Sequence, residues 1–175
     1  MVSSLDGIIA KKDNSVTWFE TTDHYEKGVM EDNGADFWKT IDCFIMGART
    51  YEHALQLSKD HGWPYGNVPT IVVSHRQLPL ERNNVELYSG RLEKLVQERL
   101  KPNYANVWLV GGAILAKEFI RLNLADDIRL SIMPIILGEG APFLDHISQE
   151  HLLHLKDVTA YRSGMVELWY EIRKG

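Results

Sequence analysis

The sequence predicts an α/β fold: a mixed, mainly parallel central sheet flanked by helices on both faces, with a C-terminal antiparallel hairpin. Three observations predict it. Short apolar, β-branched runs alternate with stretches whose apolar residues recur at helical spacing. The runs are continuous rather than alternating, as in strands buried on both faces. The tail, by contrast, shows strand patterns with no strong helix between them, which favours antiparallel pairing.

The elements follow in order. A helix is expected over 23–32. A strand over 42–47 leads into a helix over 50–59. Strands over 70–74 and 85–88 follow. The helix over 91–100 carries Leu92, Leu95, Val96 and Leu100 on one stripe. A strand over 106–110 runs into two glycines and a helix over 113–123. Strands over 128–136, 151–161 and 165–173 close the chain, with Arg162-Ser163-Gly164 as the last turn. In the final strand Val166, Leu168, Tyr170 and Ile172 alternate with Glu167, Trp169 and Glu171, so one face is core and the other mostly solvent.

The 175 residues, 45% hydrophobic and 25% charged, suit one domain over 1–175 with a continuous core. A formal net charge of -5 gives no global attraction to nucleic acid or to anionic membranes, so neither is an expected partner. No apolar stretch approaches the roughly 20 residues of a membrane helix, and no signal peptide is evident. Cys43 is the single cysteine, so an internal disulfide is impossible and a reducing cytoplasm is the expected location.

The run Val107-Trp108-Leu109-Val110-Gly111-Gly112-Ala113 ends a strand in two glycines and opens a helix. Bare backbone there lets a ligand approach, and the helix start offers free N–H groups and the positive end of its dipole. Together these suit phosphate; a plain tight turn is the alternative. The spacing is not G-x-G-x-x-G, which disfavours a classical dinucleotide domain. A second strand ends at Gly47, followed by Arg49 and Thr50, where Thr50 either caps the helix or holds a phosphate oxygen. A third ends in Ser74-His75-Arg76, suited to an isolated phosphate such as the one that distinguishes NADP from NAD. Ligands of open α/β sheets lie beyond the carboxyl ends of the strands, so the three sites can share one elongated anion.

Taken with Ser4-Leu5-Asp6-Gly7-Ile8-Ile9-Ala10, Trp18, Met46-Gly47-Ala48-Arg49-Thr50-Tyr51-Glu52, Val72-Val73-Ser74 and Pro134-Ile135-Ile136-Leu137-Gly138-Glu139-Gly140, these segments resemble the dihydrofolate reductase-like superfamily. Among its branches the likeness is to the C-terminal reductase domain of bacterial riboflavin-biosynthesis enzymes. The resemblance implies NADPH as cofactor, lying across the strand ends. It places Gly111, Gly112 and Ala113 at the pyrophosphate, Gly47, Arg49 and Thr50 at the phosphates, and Ser74, His75 and Arg76 at the adenosine end. It also makes 10–18 a mobile loop over the nicotinamide, and sheet-edge pairing in relatives suggests a homodimer that Trp169 would seal.

Hydride transfer to a C=N or C=O centre needs close stacking and a proton source. Asp23, five residues after Trp18, is the candidate to anchor or protonate a heterocycle; the alternative is an ordinary helix cap. Asp6 either lines the pocket or serves an Asp-Gly turn. Trp18, Phe19 and Tyr25 could wall a flat substrate or pack in the core. Glu139 either reaches a ligand or serves its loop, and Lys11 and Lys12 either meet a phosphorylated substrate or are ordinary solvated loop lysines. No metal is expected, because His151 and His154 are three apart in a predicted strand and no H-E-x-x-H helix exists. Cys43 reads as a small core residue. The zinc signature of a nucleobase deaminase is absent. The expected function is an NADPH-dependent reductase of a pterin-like compound or a ribosylaminopyrimidine; the alternatives are a non-catalytic dinucleotide-binding module and a dimeric interaction protein.

Overall fold

The computed structural model describes residues 1–20, 22–30 and 35–174. In chain order the elements are β1 (Val2–Ser4), β2 (Ile8–Ala10), a 3-10 turn (Thr17–Phe19), α1 (Ala35–Trp38), β3 (Cys43–Gly47), α2 (Ala48–His61), β4 (Thr70–Val73) and β5 (Val85–Tyr88). Then come α3 (Leu92–Lys94), a π-helical turn (Leu95–Leu100), α4 (Lys101–Asn103), β6 (Val107–Gly111), α5 (Ala113–Arg121), β7 (Asp127–Met133), β8 (Ala141–Pro142), β9 (Leu153–Ala160) and β10 (Val166–Ile172). The chain divides into two compact units, Met1–Gly34 with Ile120–Gly175, and Ala35–Phe119.

The second unit is built on an all-parallel sheet in the order β5-β4-β3-β6. Its central strand reads Cys43-Phe44-Ile45-Met46, each at most 1% exposed, as a continuous apolar run requires when both faces are covered. One face receives α2, whose Tyr51 and Leu55 pack against Phe44, Met46 and Val72. Burial of side chains this size contributes about 1.5–3 kcal/mol each. On the other face Ile45 and Ile71 are equally buried, and the helical stretch after β5 buries Leu95, Val96 and Leu100. The four strands stop level: Gly47 pairs with Val73, Val73 with Tyr88, and Met46 with Gly111. Asp42 helps set that register, because its carboxylate accepts the N–H groups of Ala105 and Asn106 at 3.0 and 2.8 Å, just before β6 begins.

The first unit carries the sheet β1-β7-β10-β9 and a small β2-β8 pair. β1 runs parallel to β7, while β7, β10 and β9 are antiparallel, as the tail pattern predicts. Leu168 stands opposite Leu130 and Tyr170 opposite Ile128, so the alternating apolar face forms as expected. The opposite face is less solvated than its composition suggests. Arg129 forms an ion pair with Glu167, their side chains only 23% and 19% exposed. The Trp169 ring on that face takes Lys156 Nζ at 4.3 Å and the Arg129 guanidinium at 5.1 Å.

One expected element does not form. Residues 23–30 are not helical, and 31–34 lie outside the described residues. Instead Gly28 N–H closes a turn onto Tyr25 O, and Val29 bridges Tyr161. A Cβ on Gly28 would stand 2.5 Å from the Tyr161 carbonyl, so this approach needs glycine. Pairing with the end of β9 overrides the modest helical pattern of the segment.

Candidate functional site

The path of the chain in the second unit creates a switch point. From β3 it moves outward through β4 to β5, then returns to place β6 on the other side of β3. In open α/β sheets a reversal of strand order of this kind leaves a crevice beyond the strand ends. Glycine occupies both lips. A Cβ built on Gly47 stands 3.8 Å from the Gly112 nitrogen, and one built on Gly112 stands 3.5 Å from Thr50 Oγ1. These are ordinary contact distances, so side chains would fill the gap rather than collide across it. The Gly111–Gly112 peptide bond is cis, and Gly111 has φ of 140°.

Two helices begin at this crevice. Gly47 is the N-cap of α2 and has no side chain to cap it, and the first turn holds no acid. α5 opens at Ala113, immediately after Gly112, again with no acid in its first turn. Free N–H groups and two positive dipole ends meet where the backbone is bare. Thr50 is not the helix cap; its hydroxyl faces Gly112. Arg49 stands exposed in the same turn. This donor set, with a gap that a methyl group would fill, fits a pyrophosphate.

Next to it, β4 ends at Val73, and Ser74 extends the sheet by donating its N–H to Tyr88 O at 2.9 Å. The Ser74 hydroxyl accepts the Arg76 N–H at 2.9 Å, which fixes the turn that presents exposed His75 and Arg76. The Arg76 guanidinium donates to Glu52 on α2 at 2.9 Å. Glu52 was not foreseen; it lies 24 positions away, and only the packing of α2 beside β4 brings the two together.

The remaining expected residues belong to the first unit. Asp6 accepts the Ser4 hydroxyl at 2.5 Å and the N–H groups of Leu137 and Gly138 at 3.1 and 2.7 Å. The Ser4 bond first, then the Leu137 amide, holds its pKa down at about 2. An ionised acceptor with these bonds ties the β1–β2 turn to the loop after β7. Asp23 lies in irregular backbone, not at a helix start, so the capping alternative falls away. Its carboxylate rests over Gly164, where a Cβ would come within 2.3 Å of Oδ2. Trp18 is buried and makes an edge contact with half-exposed Phe19 at 4.6 Å. Tyr25 exposes its ring while its N–H is held by Arg162 O at 2.7 Å. The loop between β2 and the 3-10 turn folds on itself, Lys11 N–H to Ser15 O and Asn14 N–H to Lys11 O, and Lys12 pairs with Glu139 at 2.5 Å. Cys43 is fully buried, which pushes its thiol up to about 12, so nucleophilic chemistry has no support there.

A family model, the RibD C-terminal domain, matches residues 1–166. The chain belongs to this family. The uncharacterized Bacillus subtilis protein YwjB is 29% identical over 167 residues, covering 95% of this chain and 92% of its own. A Shewanella structure provisionally described as a riboflavin biosynthesis protein superposes with a TM-score of 0.84 at 22% identity, covering 99% of this chain and 97% of that one. Acinetobacter baumannii RibD superposes at 0.65 with 16% identity, and there the chain spans 56% of the longer protein. The fold is thus the dihydrofolate reductase-like fold of RibD C-terminal domains. Among the described residues no helix is long and apolar enough to cross a membrane, and no group of three metal-ligating side chains gathers.

Proposed function

We propose that this RibD-type chain is a reductase that takes hydride from NADPH and delivers it to a small nitrogen heterocycle, a ribosylaminopyrimidine or a pterin-like compound. The bare crevice at the β3–β6 switch point carries the reading. Gly47, Thr50, Gly111, Gly112 and Ala113 would receive the pyrophosphate, with Arg49 adding charge, and Ser74, His75 and Arg76 would meet the adenosine end. Bound there, NADPH supplies the hydride; the protein's own tasks are to bind, orient and deliver a proton. Asp23 is assigned the proton and Asp6 the support of the loops, with Phe19 and Tyr25 offering exposed rings for a flat substrate and buried Trp18 backing Phe19. A solved Thermotoga maritima protein with the same fold is described as a diaminohydroxyphosphoribosylaminopyrimidine deaminase and 5-amino-6-(5-phosphoribosylamino)uracil reductase, which supports the pyrimidine class.

The test is to mix purified protein with NADPH and, in turn, 5-amino-6-(5-phosphoribosylamino)uracil and dihydropterins. Substrate-dependent loss of NADPH absorbance supports the proposal. Binding without turnover of any of them would leave a dinucleotide-binding module, a reading favoured by the structural employment of Asp6. We also carry a homodimer forward: edge strand β9 exposes Leu155 and Val158, and a single species of monomer mass at two concentrations in the ultracentrifuge would remove it.

A further inference from the structure

The exposed pair between Glu52 and Arg76 links α2 to the turn after β4. Arg76 is anchored by its backbone: its N–H is held by Ser74 Oγ, and Ser74 by Tyr88 O. Its side chain is 58% exposed, and its guanidinium is bonded to Glu52, whose side chain is 45% exposed. Glu52 follows Thr50 by two positions on α2 and is the first acid on that helix past the uncapped start. One carboxylate near the start of α2 therefore holds the cation after β4.

We propose that Glu52 is a specificity-determining residue that sets the choice between the phosphorylated and unphosphorylated nicotinamide dinucleotides by competing for Arg76. The inference rests on the reading of the crevice as a dinucleotide site. A phosphate on the adenosine ribose brings about -1.5 to -2 charge and must take Arg76 from Glu52. A ribose with free hydroxyls makes no such demand, and Glu52 accepts a hydrogen bond from it while keeping Arg76. Exposed ion pairs are weak, so the exchange is open to both cofactors, and Glu52 biases the ratio rather than excluding either.

The experiment titrates NADPH, NADH, adenosine 2′,5′-bisphosphate and AMP by calorimetry into the full chain, Glu52→Gln, Arg76→Ala and the double variant. Glu52→Gln should tighten NADPH and the bisphosphate by about three- to fivefold, leaving NADH and AMP within about 1.5-fold. Arg76→Ala should weaken the phosphorylated pair and abolish the effect of Glu52→Gln in the double variant. Equal changes in both cofactors, or a Glu52→Gln effect that survives Arg76→Ala, overturns the inference while leaving the dinucleotide site standing. If the unaltered chain binds none of the four, the proposed function itself fails and the inference with it. Melting temperatures of all four proteins guard against a folding defect, which the exposure of both side chains argues against.

Discussion

The carboxylate of Asp6 accepts the amide of Gly138 at 2.7 Å, across 132 positions of sequence. With the Leu137 amide and the Ser4 hydroxyl it forms a small anion clamp between two loops, and the bonds favour the ionised form. The folded pKa, about 2, lies below the ordinary 3.8, so the stabilisation is present above pH 3.8 and is lost as pH falls through about 2. Asp6→Asn should therefore melt at lower temperature than the unaltered protein at pH 7. The two melting curves should converge between about pH 4 and pH 2. A gap that persists unchanged at pH 2 would show that charge is not the origin of the clamp.

Gly111 and Gly112 separate two roles of glycine. Gly111 has φ of 140°, where a side chain is strained, whereas a Cβ on Gly112 meets only Thr50 Oγ1, at 3.5 Å. Gly112→Ala should keep its melting temperature within a few degrees and weaken NADPH at least tenfold, about 1.4 kcal/mol, by occupying phosphate space. Gly111→Ala should lose stability as well, by about 1–3 kcal/mol. Thermal melts beside calorimetric titration separate the two, and unchanged affinity in Gly112→Ala would count against the crevice.

Thr50 offers its hydroxyl at the same lip. Thr50→Val keeps the shape and removes the donor, so NADPH affinity should fall by about 1.5–3 kcal/mol, the value of a hydrogen bond to a charged group. Loss of stability without loss of affinity would make Thr50 a packing residue.

For Asp23, the proposed proton carrier, replacement by asparagine should lower kcat by about a hundredfold or more while NADPH binds as before. Stopped-flow transfer rates and equilibrium titration give the two numbers separately. If affinity falls and the transfer rate does not, Asp23 serves the turn at Gly164, on which it rests.

Cys43 gives a control on the core. Fully buried, with its thiol raised to about 12, it holds about one part in ten thousand as thiolate at pH 8. Iodoacetamide should leave the native chain unmodified for hours and alkylate it fully in denaturant. Rapid native labelling would mean that the β3 core opens readily.

Residues 42–47, 70–74, 85–88 and 106–110 announced β3 to β6 within a residue or so, most plainly β3 and β4, because strands covered on both faces have to be apolar without interruption. The segment over 23–32 misled for the converse reason. Its pattern is weak, and what decides its shape is Gly28 lying against the backbone of Tyr161, a contact that no local periodicity encodes. In the site, Gly47, Thr50, Gly111 and Gly112 were legible because bare backbone at a strand end is itself a sequence feature. Asp6 as a clamp and Glu52 as the partner of Arg76 were not, since each depends on a loop or helix distant in sequence.

What the sequence determined by itself, then, was the alternation of strands and helices, the antiparallel tail, and the glycines that leave two helix starts uncovered; all are local choices of side chain or its absence. Only the tertiary structure decided that Gly112 faces Thr50, that Asp6 is spent on the loop after β7, and that Arg76 is held by Glu52. Hydrogen bonds and charge pairs are short-ranged and directional, so which ones form depends on where the folded backbone delivers each group, and that is set by the packing of whole elements rather than by neighbours along the chain.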